Sequence, residues 1–165
     1  MTTNHQHPEI SRIVRSLAAR LRSRPNVSVA DWADAHRRLS SMASPQPGPW
    51  RTDLVPYTRE IMNAFHPDDP SEWIVFRTGT QVGKTETLIN VLLFYMHQHP
   101  RPIGYALPDD QLCEELSEQR LDDAIKSSPK LRVLVTGAGT KDAEGRKGKD
   151  TIKSKKFPGG MLFMI

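Results

Sequence analysis

The stretch that decides the fold is Trp73-Ile74-Val75-Phe76-Arg77-Thr78-Gly79-Thr80-Gln81-Val82-Gly83-Lys84-Thr85. Its first four residues are all apolar and rich in β-formers, a composition typical of strands covered on both faces in α/β proteins. The residues that follow combine two glycines with polar side chains, which indicates a tight loop. The sequence therefore predicts a buried strand over Trp73–Phe76 that leads directly into a loop.

Helices and strands alternate after this loop. Apolar residues at three- and four-residue steps predict a helix from Lys84 to about His97, followed by a short strand over Ile103–Leu107. Pro108-Asp109-Asp110 then begins another helix that extends to about Ile125. The order strand, loop, helix, strand, helix predicts the α/β fold class, with a parallel sheet covered by helices.

Gly83-Lys84-Thr85 has the residue types that bind a nucleotide polyphosphate. A glycine turn lets backbone N–H groups converge on the phosphates, and the following helix presents its positive end. Lys84 would reach the β and γ phosphates of ATP, and the Thr85 hydroxyl would help to hold Mg²⁺. The usual pattern G-x-x-x-x-G-K-[ST] requires glycine at Thr78, whereas this chain has Gly79 one position later. The alternative is a fortuitous connection in which Lys84 is a solvated lysine.

The predicted phosphate-binding residues are Thr78, Gly79, Thr80, Gln81, Val82, Gly83, Lys84 and Thr85. Arg77, at the end of the predicted strand, either faces the γ phosphate as a catalytic cation or pairs with a carboxylate at the rim of the sheet. Asp109 and Asp110 follow the second strand and could in principle hold magnesium. Their position at the start of a helix favours N-terminal capping instead.

The flanking segments contain helices, a linker and a hairpin. We expect helices over Ile10–Leu21, over about Val29–Leu39 and from Tyr57 to Phe65, and a proline-rich linker at residues 44–49. Towards the other end, Leu131–Val135 fits a strand or a helix end, Gly137–Asp150 fits a basic loop, and residues 151–165 fit a β-hairpin. These segments predict a helical extension with linker over residues 1–47 and an α/β domain with the phosphate loop over residues 48–165, which the resemblance described below implies to be a partial P-loop ATPase domain.

Composition places the chain among globular proteins. Its 165 residues suit one domain, the formal charge of +4 permits a polyanionic partner, and no apolar run is long enough for a membrane helix. The amino terminus lacks a secretory pattern, which predicts an intracellular protein. We expect the single Cys113 to be a buried apolar residue, and the scattered histidines do not predict a zinc site.

Six segments together resemble the large terminase subunit of lambda-like tailed phages. These are Trp32-Ala33-Asp34, Gly48-Pro49-Trp50-Arg51-Thr52, Pro56-Tyr57 with Arg59-Glu60-Ile61-Met62, Gln81-Val82-Gly83-Lys84-Thr85-Glu86, Leu107-Pro108-Asp109-Asp110-Gln111, and Lys155-Lys156-Phe157-Pro158-Gly159-Gly160. The resemblance implies a RecA-like P-loop ATPase that moves double-stranded DNA into an empty capsid, followed by an endonuclease domain. It also implies that Lys84 and Thr85 bind ATP and Mg²⁺, that Tyr57 helps to hold the adenine, and that Arg77 substitutes for an early basic residue of the loop.

The same resemblance implies partners and a location. Double-stranded DNA, a small terminase subunit and the capsid portal are the expected partners, and homo-oligomers are expected only for the full-length motor in the bacterial host cytoplasm. The sequence as far as Ile165 contains no apolar strand that ends in an Asp-Glu pair, the segment that supplies the water-activating carboxylate in the family. It also contains no cluster of acidic residues for a two-metal nuclease. We therefore expect a fragment without the Walker B and nuclease segments, which hydrolyses ATP poorly by itself.

Two alternatives to the terminase interpretation stay open at this point. A helicase-type P-loop ATPase shares the glycine-lysine-threonine loop, although the Gly48–Thr52 segment favours terminase. A noncatalytic DNA-binding or assembly module is suggested by the arginine-rich first helix and the basic stretch Lys141–Lys156.

Overall fold

The computed structural model describes residues 25–137 and 154–165, which form a mixed α/β structure. Its helical elements are α1 Val29–His36, a 3₁₀ turn Thr52–Leu54, α2 Tyr57–Ala64, α3 Lys84–Gln98, α4 Asp110–Glu115, a π-helical segment Leu116–Leu121, α5 Asp122–Ser127 and α6 Pro129–Gly137. Its strands are β1 Arg38–Leu39, β2 Gly48–Pro49, β3 Ile103–Tyr105, β4 Ser154–Phe157 and β5 Gly160–Met164.

Helix α1 begins where its sequence predicts and ends earlier. The Ser28 hydroxyl accepts the Asp31 N–H at 3.1 Å, which caps the first turn. The predicted end near Leu39 is wrong, because Arg37 is already extended and Arg38 pairs with Pro49 in the antiparallel β1–β2 ladder. Part of the predicted proline-rich linker is therefore a short strand.

Helix α3 is the centre of the fold, and its flanks are buried by α1 and α2. Trp32 of α1 is fully buried, stacks edge-on against Phe94 and donates its indole N–H to His97 Nδ1 at 2.9 Å. The largest fully buried apolar side chains of the described residues are Val29, Trp32, Met62, Ile89, Leu93, Phe94, Met96, Leu121, Leu131 and Leu162. This core fixes the direction of α3 and hence the position of its first turn.

The three-stranded sheet has the order β3-β5-β4 and is mixed. Ile103 to Tyr105 of β3 pair in parallel with Leu162 to Met164 of β5, whereas β4 and β5 form the predicted antiparallel hairpin. Gly159 turns the hairpin at a φ of +88°, a backbone conformation that glycine adopts without steric cost. The strand predicted over Ile103–Leu107 is confirmed with an earlier end at Tyr105.

The buried strand predicted over Trp73–Phe76 is wrong. These residues form no ladder with any described strand, and Trp73 and Val75 are 87% and 89% exposed. A strand needs a neighbour that takes up its N–H and C=O groups, and the described part of the chain supplies none here. The run does consist of residues with high β-propensity, but β-propensity does not form a strand unless a neighbouring strand pairs with it.

The helical region after β3 is continuous but irregular. Asp109 caps its start by accepting the Leu112 N–H at 2.8 Å, as predicted, and the π-helical segment then divides it into α4 and α5. Leu131–Val135, for which the sequence predicts either a strand or a helix end, lies in α6. The predicted helix Ile10–Leu21 and most of the predicted basic loop lie outside the described residues. No helix of the described residues is long and apolar enough to cross a membrane.

Candidate phosphate-binding site

The loop before α3 has the backbone geometry that an anion site requires. Residues 77–79 have no regular structure, residues 80–83 form a turn and bend, and α3 begins at Lys84. Gln81 and Gly83 have positive φ values of 56° and 76°. A Cβ built at Gly83 would contact nothing within 4 Å, so glycine is needed there for its conformation rather than for space.

The amino end of α3 is open to an incoming anion. Gly83 precedes the helix without a side-chain cap, and its carbonyl accepts both the N–H and the hydroxyl of Thr87, at 2.9 and 3.0 Å. The first turn of any helix has N–H groups without a partner inside the helix, and these carry a partial positive charge. This end of α3 therefore provides the donors that a phosphate group accepts.

The predicted phosphate-binding residues are mostly accessible. Gly79, Thr80, Gln81, Gly83, Lys84 and Thr85 are exposed, whereas Thr78 and Val82 are partly buried. The Thr78 hydroxyl oxygen is buried and has no hydrogen-bond partner among the described residues. Arg77 is exposed and forms no ion pair with a carboxylate of the described residues. The rim-pairing alternative for Arg77 thus has no support in the described part of the chain.

Tyr57 lies beside the loop, as its predicted role requires. Its hydroxyl donates to the Val82 carbonyl at 3.1 Å, although the two residues belong to distant parts of the chain. Tyr57 is half exposed and lines a cavity of about 390 Å³ together with Trp50, Val82 and Gly83. The proline-rich segment Ala43–Gln46 forms another part of its wall. The structure thus places one side of the loop against a mostly apolar cavity of a size that suits small-molecule ligands.

Thr85 lines a second, smaller cavity. This cavity measures about 170 Å³ and is bounded by Tyr105 at the end of β3, by Leu107 just beyond that strand, and by Arg120 of the π-helical segment. The single hydroxyl of Thr85 fits what Mg²⁺ takes from a protein at a phosphate site, because Mg²⁺ keeps several waters and binds the phosphates themselves. Among the described residues, no group of three or more acidic, histidine or cysteine side chains is arranged to bind a metal by itself.

A buried ion pair supports the first turn of α3, and sequence reasoning missed it. Glu86 accepts a hydrogen bond from Arg37 Nη2 at 2.8 Å, and the Arg37 side chain is completely buried. Arg37 Nη1 also donates to the Arg38 carbonyl. Burial lowers the pKa of Arg37, while the Glu86 carboxylate opposes that shift. Nothing in the sequence around Arg37 predicts that its side chain is buried. An acidic residue in the first turn of a helix is favourable, so the position of Glu86 could have indicated a structural role.

Three other predicted features have clear outcomes. Asp109 caps α4, so capping is confirmed over a metal role for this residue. Cys113 is fully buried and free, as an apolar core residue would be. Lys155, in the basic stretch considered for DNA contact, is also buried and pairs with Asp122 at 2.9 Å. That lysine is therefore not available to a DNA backbone, and most of the remaining stretch lies outside the described residues.

The chain is a mixed α/β structure in which an uncapped helix follows a glycine loop, an arrangement found in many proteins that bind anions. Comparison with family models narrows that class: the model for phage terminase large subunit gpA, ATPase domain, matches residues 44–165. The chain belongs to this terminase ATPase family. Searches of curated proteins and of solved structures gave no match.

Proposed function

We propose that residues 78–85 hold the phosphates of ATP. Lys84 would contact the β and γ phosphates, and the Thr85 hydroxyl would take one position around Mg²⁺. The observation that carries this proposal is the left-handed Gly83 directly before the uncapped helix α3, in a chain of an ATPase family. When bound, Mg²⁺ would neutralise phosphate charge, and the chain's own groups would orient the phosphates along the loop.

The cavity beside Tyr57 is our proposed base site. The Tyr57 ring is held near the loop by the hydrogen bond to Val82, and Trp50 contributes a largely buried aromatic wall. A flat, weakly polar adenine fits such a surface, since aromatic rings stack on bases at little conformational cost. Arg77, which is exposed at the start of the loop, would add a positive charge for the phosphates.

The finer fold assignment also belongs to the proposal. We infer a P-loop, RecA-like arrangement over residues 48–165, preceded by a helical extension over residues 1–47. The parallel β3–β5 pair, with the site at the carboxyl end of β3 and the amino end of α3, supports it.

In the cell, the proposed role is to power the packaging of double-stranded DNA into a phage capsid. Membership of the terminase family supports this role, and the family match also favours a terminase over a helicase. DNA, a small terminase subunit and the capsid portal are the proposed partners, and the bacterial host cytoplasm is the proposed location.

A binding experiment with matched lysine variants tests the phosphate site. Lys84→Ala should weaken binding of a fluorescent ATP analogue by about tenfold or more, because a charge-assisted contact to phosphate is lost. Lys126→Ala, which removes an exposed lysine from α5, is the control and should bind as the wild type does. Equal affinities of the Lys84→Ala variant and the wild type would refute the assignment.

A further inference from the structure

Glu86 has two arginine partners from different parts of the chain. Arg37, which follows α1, reaches Oε2 of this carboxylate at 2.8 Å. Arg120, in the π-helical segment, reaches Oε1 at 3.5 Å. Both partners therefore meet in the first turn of α3, two residues after the lysine of the proposed phosphate site.

The two arginines are held very differently. The Arg37 side chain is 0% exposed and cannot leave Glu86 without leaving a charge buried and unpaired. The Arg120 side chain is 43% exposed, and its longer contact is of the kind that contributes little to stability. One carboxylate needs only one cation to balance its charge, and Arg37 already provides it. Arg120 is consequently a spare positive charge that can move at little cost.

Arg120 also lies where it can meet a ligand. It lines the smaller cavity together with Thr85, whereas Gly83 and Tyr57 line the larger cavity proposed for the base. A nucleotide with its base in the larger cavity and its phosphates along the loop extends towards Thr85, and so towards the cavity of Arg120. The π-helical geometry of residues 116–121 is uncommon and occurs frequently at functional sites.

We propose that Arg120 binds the terminal phosphate of the nucleoside triphosphate by exchanging its contact with Glu86 for one with a phosphate oxygen. Guanidinium presents a fork of donors that matches phosphate geometry, and it stays charged at any physiological pH. Arg120 thereby distinguishes a triphosphate from a diphosphate, which has no group at that position. The proposal rests on the phosphate site proposed above.

The test compares two nucleotides in one set of variants. Affinities for fluorescent ADP and for fluorescent ATPγS, both with Mg²⁺, are measured for the full chain carrying Arg120→Ala. We expect ATPγS binding to weaken about 10-fold to 100-fold, and ADP binding to stay close to that of the wild type. Arg101→Ala, which removes an exposed arginine beyond the other end of α3, is the matched control and should change neither affinity.

Thermal unfolding of each variant shows whether it folds. If Arg120→Ala does not fold, Arg120→Lys takes its place: lysine keeps the charge but loses the fork, so the ratio of ATPγS to ADP affinity should still fall. An unchanged ratio in a folded Arg120 variant overturns the proposal. Lys84→Ala distinguishes a failure of the phosphate site from a failure of the Arg120 proposal, because it should weaken the binding of both ADP and ATPγS. If Lys84→Ala weakens the binding of neither nucleotide, the phosphate site itself is refuted. If it weakens the binding of both, and the ratio of ATPγS to ADP affinity is unchanged in the Arg120 variant, only the role of Arg120 is refuted.

Discussion

Removal of the Glu86 carboxylate should destabilise the protein strongly. In the Glu86→Ala variant the fully buried Arg37 guanidinium loses its anionic partner at 2.8 Å. Breaking a buried ion pair in this way costs about 3–5 kcal/mol, against a total stability of about 5–15 kcal/mol for a typical domain. The melting temperature should fall by about 6–20 °C, since about 2–4 °C is lost per kcal/mol in a chain of this size.

The assay is urea denaturation, followed by tryptophan fluorescence, with two comparison variants. Glu114→Ala removes an exposed glutamate from α4 and should change the free energy of unfolding by no more than about 0.5 kcal/mol. Arg37→Met replaces the buried charge with an apolar side chain of similar length and should cost less than Glu86→Ala, because the Glu86 carboxylate that is left behind keeps Arg120 as a cationic partner. A loss below about 1 kcal/mol for Glu86→Ala would show that the pair behaves as an exposed one and would refute the reasoning.

Substitutions at three further positions test separate parts of the fold. Asp109→Ala removes the cap that accepts the Leu112 N–H and should cost about 0.5–2 kcal/mol in denaturation, whereas Asp109→Asn should recover most of it. Gly160→Ala places a Cβ 2.5 Å from the Arg101 carbonyl oxygen, so it should cost about 1–3 kcal/mol of stability and lower the melting temperature; an unchanged melting temperature would contradict the tight packing there. Burial lowers the pKa of His36 below 6.5, its ordinary value. As the pH falls, the imidazole is therefore protonated in the unfolded chain before it is protonated in the folded chain, and stability is lost as the pH falls through 6.5 towards the lower folded pKa. His36→Gln should flatten that pH dependence of the unfolding free energy, and parallel profiles of variant and wild type would count against it.

Local signals in the sequence predicted local structure well. Ser28 and Asp109 cap helices because a side-chain oxygen and a backbone N–H only three residues away satisfy each other, whatever the rest of the chain does. Pro158-Gly159-Gly160 turns the hairpin for an equally local reason, since Gly159 accepts a positive φ. Features set by a few adjacent residues could therefore be found without any structure.

Features that depend on distant partners could not be predicted in this way. The Trp73–Phe76 run has the composition of a strand, but no described strand lies beside it, and pairing is decided outside the run itself. Helix α1 ends early because Arg38 pairs with Pro49, a contact that helical periodicity does not contain. The pairing of Arg37 with Glu86 joins residues 49 positions apart, and nothing in the sequence near either residue indicates the other.

In the candidate site, too, the features set by adjacent residues could be predicted and the contact between distant residues could not. The glycine before Lys84 and the helix after it were predicted from spacing and are present. The closeness of Tyr57 to the loop came from a family resemblance and is visible as the hydrogen bond to Val82. Arg120, by contrast, belongs to a helical segment whose π-helical geometry leaves no pattern in the sequence, so its contact with Glu86 became apparent only in three dimensions.

The most direct test of the account is a two-dimensional ¹H–¹⁵N NMR titration of the protein with Mg²⁺ and ATP. If the amides before and within the first turn of α3 bind phosphate, the resonances of Gly83, Lys84 and Thr85 should show the largest shifts, because their N–H groups gain charged acceptors. The same titration with Lys84→Ala should produce much smaller shifts at equal nucleotide concentration. Shifts confined to residues away from this loop, with Gly83 to Thr85 unmoved, would contradict the central claim.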